Sequence, residues 1–168
     1  MLFQLGSRPA VGEVVEVGDL LIACHARIRH FLELAARLAT TTVTATEARE
    51  TARQIRRYFT EAFPLHMADE EELILPRLAG ESAGLDEALA TMHADHEHHA
   101  AHVARLVDCL AAPAPLLAEA AGALHAVLEP HLALEERTIF PALAVLPAAC
   151  LAAIKAEMRK RRESLMSQ

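Results

Sequence analysis

Apolar side chains recur every three or four residues along most of the chain, which is the spacing of one inward face of an α-helix. The first such stripe predicts a helix with Asp19 as its N-cap, which runs to Ala39 and ends at a run of threonines. Its inward positions are Leu21, His25, Ile28, Leu32 and Ala35. The buried face of this first helix therefore carries one histidine.

Three more stripes of the same spacing predict three further long helices. The second helix starts at about Thr46 and is stopped by Pro76 and Gly80, Pro113 separates the third from the fourth, and Pro141 closes the fourth. The inward positions of the second helix are Ile55, Phe59, Ala62, His66, Glu70 and Leu73. Those of the third helix are Leu85, Leu89, Met92, His96, His99, Val103, Leu106 and Leu110. Those of the fourth helix are Leu117, Ala121, Leu124, Leu128, His131, Glu135 and Thr138.

The stripes and the short connections between them predict an all-α protein. We expect an antiparallel up-and-down four-helix bundle at residues 19–145, an irregular lead-in at 1–18, and a short C-terminal helix at 146–168 that packs on the bundle. The composition favours packed helices over a sheet, because Ala and Leu supply most of the 53% hydrophobic residues and the chain has no Trp and one Tyr.

A segment of the second predicted helix is repeated in the fourth. LHMADEEELILPRL at 65–78 aligns with PHLALEERTIFPAL at 130–143. The aligned pairs include His66 with His131 and Glu70 with Glu135. Both helices thus present an H-x-x-x-E unit, and residues four apart lie about 6 Å apart on one helix face. The imidazole and carboxylate of each unit can therefore aim at one point.

Carboxylates on the apolar stripes of a bundle predict a metal site. Burying them would cost several kcal/mol in desolvation unless a cation neutralises each of them. The predicted ligands are His25, His66, Glu70, His96, His131 and Glu135. Four imidazoles and two bridging carboxylates would supply about eight bonds, against roughly ten to twelve for two iron ions. Two to four coordination positions would stay open.

The segments around these residues resemble the bacterial hemerythrin-like, or HHE cation-binding, family over about residues 19–145. The resemblance is carried by CHARIRHFL, RYFTEAFPLHMADEEELILPRL, MHADHE and EPHLALEERTIFPAL. It implies a four-helix bundle around two iron ions, usually joined by an oxo or hydroxo bridge, and the same ligands tolerate zinc or manganese. Functions in the family range from oxygen binding to oxygen, redox, nitric-oxide or iron sensing and peroxide chemistry.

Two departures from the oxygen-carrying hemerythrins leave alternatives open. Those proteins have a second histidine four residues after the first one in the third helix, where this chain has Ala100, and His99 is the candidate replacement. They also place an aspartate five residues after the histidine of the fourth helix, where this chain has Glu136. We prefer Glu135 because the repeat pairs it with Glu70, and Glu136 remains the alternative.

The expected function is metal binding coupled to binding or sensing of oxygen, peroxide, nitric oxide or iron. The alternative is a di-iron enzyme that consumes peroxide or a related reactive species. The net charge of −7 argues against nucleic acid as a partner. The N-terminal sequence shows neither a signal peptide nor a membrane span, so we expect a cytoplasmic protein, with a protein partner or a homodimer as further candidates.

The remaining polar groups near the stripes have simpler interpretations. Glu71 and Glu136 are expected to be surface charges or hydrogen-bond partners of the ligands, and His93 to be mostly solvated or to orient a ligand. Cys24 is expected to be a small buried thiol, since three distant cysteines suggest no disulfide. The basic run at 159–162 is expected to complement the negative end of the last helix.

Overall fold

The computed structural model describes residues 16–166, which contain five helices and no strand. The all-α prediction is confirmed. Almost all of the predicted irregular lead-in at 1–18 lies outside the described residues. Within the described part of the chain, no helix combines the length and the apolarity needed to span a bilayer.

Four long helices and a C-terminal helix follow one another through short connections. Helix α1 is Val17–Thr40, α3 is Ala83–Cys109 and α5 is Ala148–Met166. Helix α2 occupies residues 45–78 as α-helix Ala45–Arg57, π-helix Tyr58–Ala62, α-helix Phe63–Asp69, π-helix Glu70–Ile74 and α-helix Leu75–Leu78. Helix α4 occupies residues 114–145 as α-helix Ala114–Leu134, π-helix Glu135–Ile139, α-helix Phe140–Ala142 and 3-10 helix Leu143–Val145.

Side-chain caps explain where the first three helices begin. Thr44 and Ser82 cap α2 and α3, each through a hydroxyl that accepts a backbone N–H three residues later. In α1 the N-cap is Glu16, and the carboxylate of Asp19 accepts its backbone N–H at 3.3 Å. The prediction of Asp19 as the N-cap is therefore wrong, because this residue closes a capping box from inside the helix.

Prolines widen the helices near the middle of the bundle instead of ending them. Each of the three π segments is followed, two residues after its end, by a proline: Pro64, Pro76 and Pro141. Proline has no N–H, and its ring displaces the carbonyl four residues earlier. The residue before it then bonds five residues back, as Leu75 does to Glu70 and Phe140 to Glu135. The predicted stops at Pro76 and Pro141 are wrong, whereas Gly80 does lie just beyond α2 with a φ of 88°.

The bundle interior has two apolar clusters with a polar layer between them. Helix α4 packs against both α1 and α3, and in α1 Leu21 belongs to one cluster and Ile28 to the other. Helix α5 adds Ile154 and Met158 to the cluster of Leu21. The buried polar residues of the layer are His25, His66, Asp69, Glu70, His96, His99, His131 and Glu135.

The π segments also change which side chains face inward after them. Ile139 is fully buried and Thr138 is exposed, so the predicted inward position of Thr138 is wrong. A π turn contains one more residue than an α turn and rotates the following positions around the axis. The 3.6-residue spacing therefore holds in α4 only up to Glu135.

Candidate metal centre

The six predicted ligands meet in the polar layer, and all of them are buried. Their ligand atoms form two groups in which the atoms lie within 4.8 Å of one another. The first group is His25, His66, Glu70 and Glu135, and the second is Glu70, His96, His131 and Glu135. Both carboxylates belong to both groups, which is the arrangement expected of two bridging ligands.

Each shared carboxylate directs one oxygen toward each group. Glu70 Oε1 lies 3.3 Å from His66 Nε2, and Glu70 Oε2 lies 3.4 Å from His96 Nε2. Glu135 Oε2 lies 3.1 Å from His25 Nε2, and its Oε1 lies 3.0 Å from the imidazole of its own H-x-x-x-E unit. The two π turns begin at these two carboxylates, so the widened backbone lies directly at the centre.

Most of the polar atoms that face the centre have no hydrogen-bond partner among the described residues. These atoms are Nε2 of His25, His66 and His96 and both carboxylate oxygens of Glu70 and Glu135. An unsatisfied buried polar group costs about 1–3 kcal/mol, and more if it is charged. Imidazole and carboxylate together suit iron, zinc and manganese. The residues therefore fit two cations bound between shared carboxylates.

The electrostatics of the layer also favour positive charge. Burial alone lowers the pKa of His25, but the nearby carboxylates, first that of Glu135 and then that of Glu70, outweigh it and raise this pKa to about 10. The pKa of Glu70 is lowered: burial raises it, and the nearby imidazoles, first that of His66, outweigh the burial. In the metal-free protein, protons thus supply the positive charge that cations would otherwise bring.

Outer carboxylates orient two of the imidazoles. His25 Nδ1 donates to Glu136 Oε1 at 2.8 Å, and His96 Nδ1 donates to Glu71 Oε1 at 2.7 Å. A carboxylate only accepts, so Nδ1 carries a proton and Nε2 is the nitrogen left to bind a metal ion once its own proton has gone. Arg29 donates to Glu136 at 2.7 Å. The alternative of Glu136 as the carboxylate of the fourth helix is not supported by this geometry, because Glu136 contacts the outer nitrogen of His25.

The partners of the other two imidazoles differ in chemistry. His131 Nδ1 lies 3.3 Å from Asp95 Oδ2, whereas His66 Nδ1 makes no hydrogen bond with the described residues and shares a cavity with the thiol of Cys24. Arg162 Nη2 donates to Cys24 Sγ at 3.5 Å. Burial raises the pKa of this thiol, but His66 and Arg162 outweigh the burial and lower it to about 7.

His99 is buried beside the centre but belongs to neither ligand group. Its ring centroid lies 4.5 Å from that of His131, and its Nδ1 has no partner among the described residues. Burial, followed by the charges of His131 and His96, lowers the pKa of His99 to about 4. Ala100 is exposed, so residue 99 occupies the inward position at this level of α3.

Helix α5 contacts the centre through two arginines that sequence reasoning assigned to the helix dipole. Arg162 Nη1 lies 2.8 Å from Oδ2 of the fully buried Asp69, and Arg161 lies 3.5 Å from the same carboxylate. Asp69 directly precedes Glu70. Burial raises the pKa of Asp69, and the arginine charges act against this effect. The dipole interpretation is therefore wrong for these two residues, which form ion pairs with α2.

Sequence reasoning missed three of these groups: Asp69, Asp95 and Arg29. Of these three, only Asp95 could have been singled out from the sequence, because it directly precedes the predicted ligand His96, just as Cys24 directly precedes the predicted ligand His25. His93, expected to be mostly solvated or to orient a ligand, donates from Nδ1 to Glu71 Oε2 at 2.8 Å. It therefore supports the carboxylate that orients His96.

Comparison with known proteins addresses the family directly. The family model for the hemerythrin HHE cation-binding domain matches residues 17–143 and, in a second match, residues 88–167. The chain belongs to the hemerythrin HHE cation-binding family. The resemblance inferred from the sequence is thereby confirmed, and the buried cluster of histidines and glutamates supports a metal-binding hemerythrin-like protein. A search of curated proteins finds no match for this chain.

Proposed function

We propose that this hemerythrin-like protein binds two iron ions through His25, His66, Glu70, His96, His131 and Glu135 and uses them to bind or sense oxygen, peroxide, nitric oxide or iron. One observation carries the proposal: the two ligand groups share both carboxylates. Zinc and manganese fit the same donors and are the expected substitutes.

The ligand count supports a centre that also binds a small molecule. Each group offers four residues, and iron accepts five or six bonds, so about one or two positions per ion stay open. When bound, the iron pair would supply redox chemistry and the open coordination positions. The chain's own residues would hold those positions in a buried layer between the two apolar clusters.

A sensing role is supported by the contact between the centre and α5. Glu70 is the neighbour of Asp69, and Asp69 is paired with Arg162 of α5. A change in how Glu70 binds metal would move the end of this ion pair and so alter the position of α5. A separate protein partner or a second copy of the chain would then bind differently to the two positions of α5.

The alternative of an enzyme that consumes peroxide is favoured by His99. This buried imidazole lies against His131 and has an unpartnered Nδ1, so it could hold or move a proton beside the centre. Neither role requires a different ligand set. Multiple turnover of hydrogen peroxide by the iron-loaded protein would support the enzyme.

Metal analysis tests the core of the proposal. After anaerobic loading with ferrous iron and removal of excess metal, we expect close to two iron ions per chain and a higher thermal midpoint than that of the metal-free protein. His98→Ala is the matched control, because this exposed imidazole donates to the Ala94 carbonyl of its own helix. A protein that retains no metal and gains no thermal stability would refute the proposal.

A further inference from the structure

Two of the four proposed ligand imidazoles, those of His25 and His96, have outer partners that follow the internal repeat. Glu136 accepts from His25, and Glu71 accepts from His96. Glu71 and Glu136 are equivalent positions of the repeated segment, as each directly follows a shared carboxylate. These two partners are therefore related by the pseudo-two-fold symmetry of the bundle.

The remaining two imidazoles break this symmetry. His131 Nδ1 faces a carboxylate, that of Asp95, at 3.3 Å. His66 Nδ1 is buried and makes no hydrogen bond with the described residues. Cys24 occupies the position before His25 that Asp95 occupies before His96, and its side chain lines the same cavity of about 260 Å³ as His66. The thiol therefore lies beside His66 on the residue that corresponds to Asp95.

We propose that Cys24 is the positioning residue of His66 and that its sulfur replaces the carboxylate that supports His131 in the other half of the centre. This inference rests on the proposed binding of two metal ions. Since sulfur is a weaker hydrogen-bond acceptor than a carboxylate, it makes the imidazole of His66 a poorer donor than that of His131. Arg162 adds a positive charge on the same side, because its guanidinium lies 3.5 Å from Cys24 Sγ.

The consequence is that the two metal positions are unequal. The ion bound by His25 and His66 is held less tightly than the ion bound by His96 and His131. The surroundings of the two positions also differ at His99, whose ring centroid lies 4.5 Å from that of His131 in the second group. Ile28 of α1 follows His25 by three residues, as His99 follows His96, and it is apolar, so the first group has no additional imidazole at this place.

Titration of the metal-free protein with cobalt(II), followed by calorimetry and visible absorption, tests the inference. We expect two binding steps in the natural protein. Cys24→Ala should weaken the weaker step by about 10–100-fold and shift its absorption bands, since loss of an outer partner has this effect on metal sites. Cys24→Ser should restore much of the loss, and Cys24→Asp should bring the weaker step close to the tighter one.

Two further variants complete the design. Cys109→Ala removes a thiol that packs against the apolar cluster of Ile28 and should leave both steps unchanged. Asp95→Cys should weaken the tighter step, which tests the same claim from the other half if the Cys24 variants do not fold. The inference is overturned if the natural protein binds two equal cobalt ions, or if the Cys24 variants leave both steps unaltered or alter them equally. A natural protein that binds no cobalt refutes the proposed function instead.

Discussion

Replacing Glu70 with alanine should release both metal ions, whereas replacing His25 should release one. Glu70 directs one oxygen to each ligand group, so its loss removes one of the four protein ligands from both positions. His25 belongs to the first group alone, so the second group keeps all of its ligands. Glu70→Ala also removes one of the two buried negative charges that offset the cations.

The size of the effect can be worked out as metal-dependent stability. At a free metal concentration about 100 times the Kd, each ion stabilises the folded protein by about 2.7 kcal/mol, so two ions add about 5 kcal/mol. For a chain of this size, that is a rise of roughly 10–20 °C in the thermal midpoint. His25→Ala should keep about half of the rise, and Glu70→Ala almost none.

The assay is calorimetric unfolding of each variant with and without metal, together with metal analysis. Taking the difference between the two states of one variant cancels the effect of the substitution on the metal-free protein. Glu70→Gln, which keeps the volume of the side chain, separates loss of the charge from formation of a cavity. Two retained ions and an undiminished rise in Glu70→Ala would show that Glu70 does not bridge the ions.

Other parts of the centre give further tests. His99→Ala should lower the metal content toward one or shift the absorption bands if His99 is a ligand, and should leave both unchanged if that coordination position is open. Glu136→Gln should weaken metal binding by about 10–100-fold in a chelator competition, since His25 loses its outer carboxylate; an unchanged affinity would contradict this role. The pKa of His25 is raised to about 10, so the protonated imidazole stabilises the metal-free protein fully below about pH 6.5, and this stabilisation is lost as the pH rises through about 10. Metal affinity should instead increase with pH, because the ligands lose their protons. Unfolding midpoints of the metal-free protein and metal affinities measured across this pH range check both signs. Asp69→Ala leaves Arg162 without its buried partner and should destabilise the protein by about 1–3 kcal/mol in denaturant unfolding, so a neutral effect would argue against the ion pair.

The inward faces of the helices and the positions of the proposed ligands were predictable because the spacing of residues within each helix determines which side chains are buried. A histidine or glutamate at a place that continues an apolar stripe, such as His25 or Glu135, must be buried by the same helix geometry that buries its neighbours. The internal repeat then identified which carboxylates share a role. The structure brings the six predicted ligands together in one layer.

The ion pairs with α5, the π turns and the position of Thr138 could not be predicted from the spacing of residues within one helix. Asp69 and Arg162 are distant in sequence, and the pair exists only because α5 packs beside α2. The π turns were missed because sequence reasoning treated a proline as an end, whereas the widened turns before Pro76 and Pro141 let the helix continue past them. The position of Thr138 was wrong for the same reason. Predicting it requires knowing that the turn at Glu135 is widened.

The distribution of the ligands along the chain has a consequence for synthesis of the protein. The ligands extend from His25 to Glu135, and each group contains residues from three of the four long helices. At a synthesis rate of about 5–20 residues per second, roughly 5–20 s separate the appearance of the first ligand from that of the last. No shorter nascent chain contains a complete group, since both groups include Glu135. If these residues are the ligands, completion of either metal position has to follow translation of the fourth helix, and His25, His66 and Glu70 would emerge before the last carboxylate that completes their group.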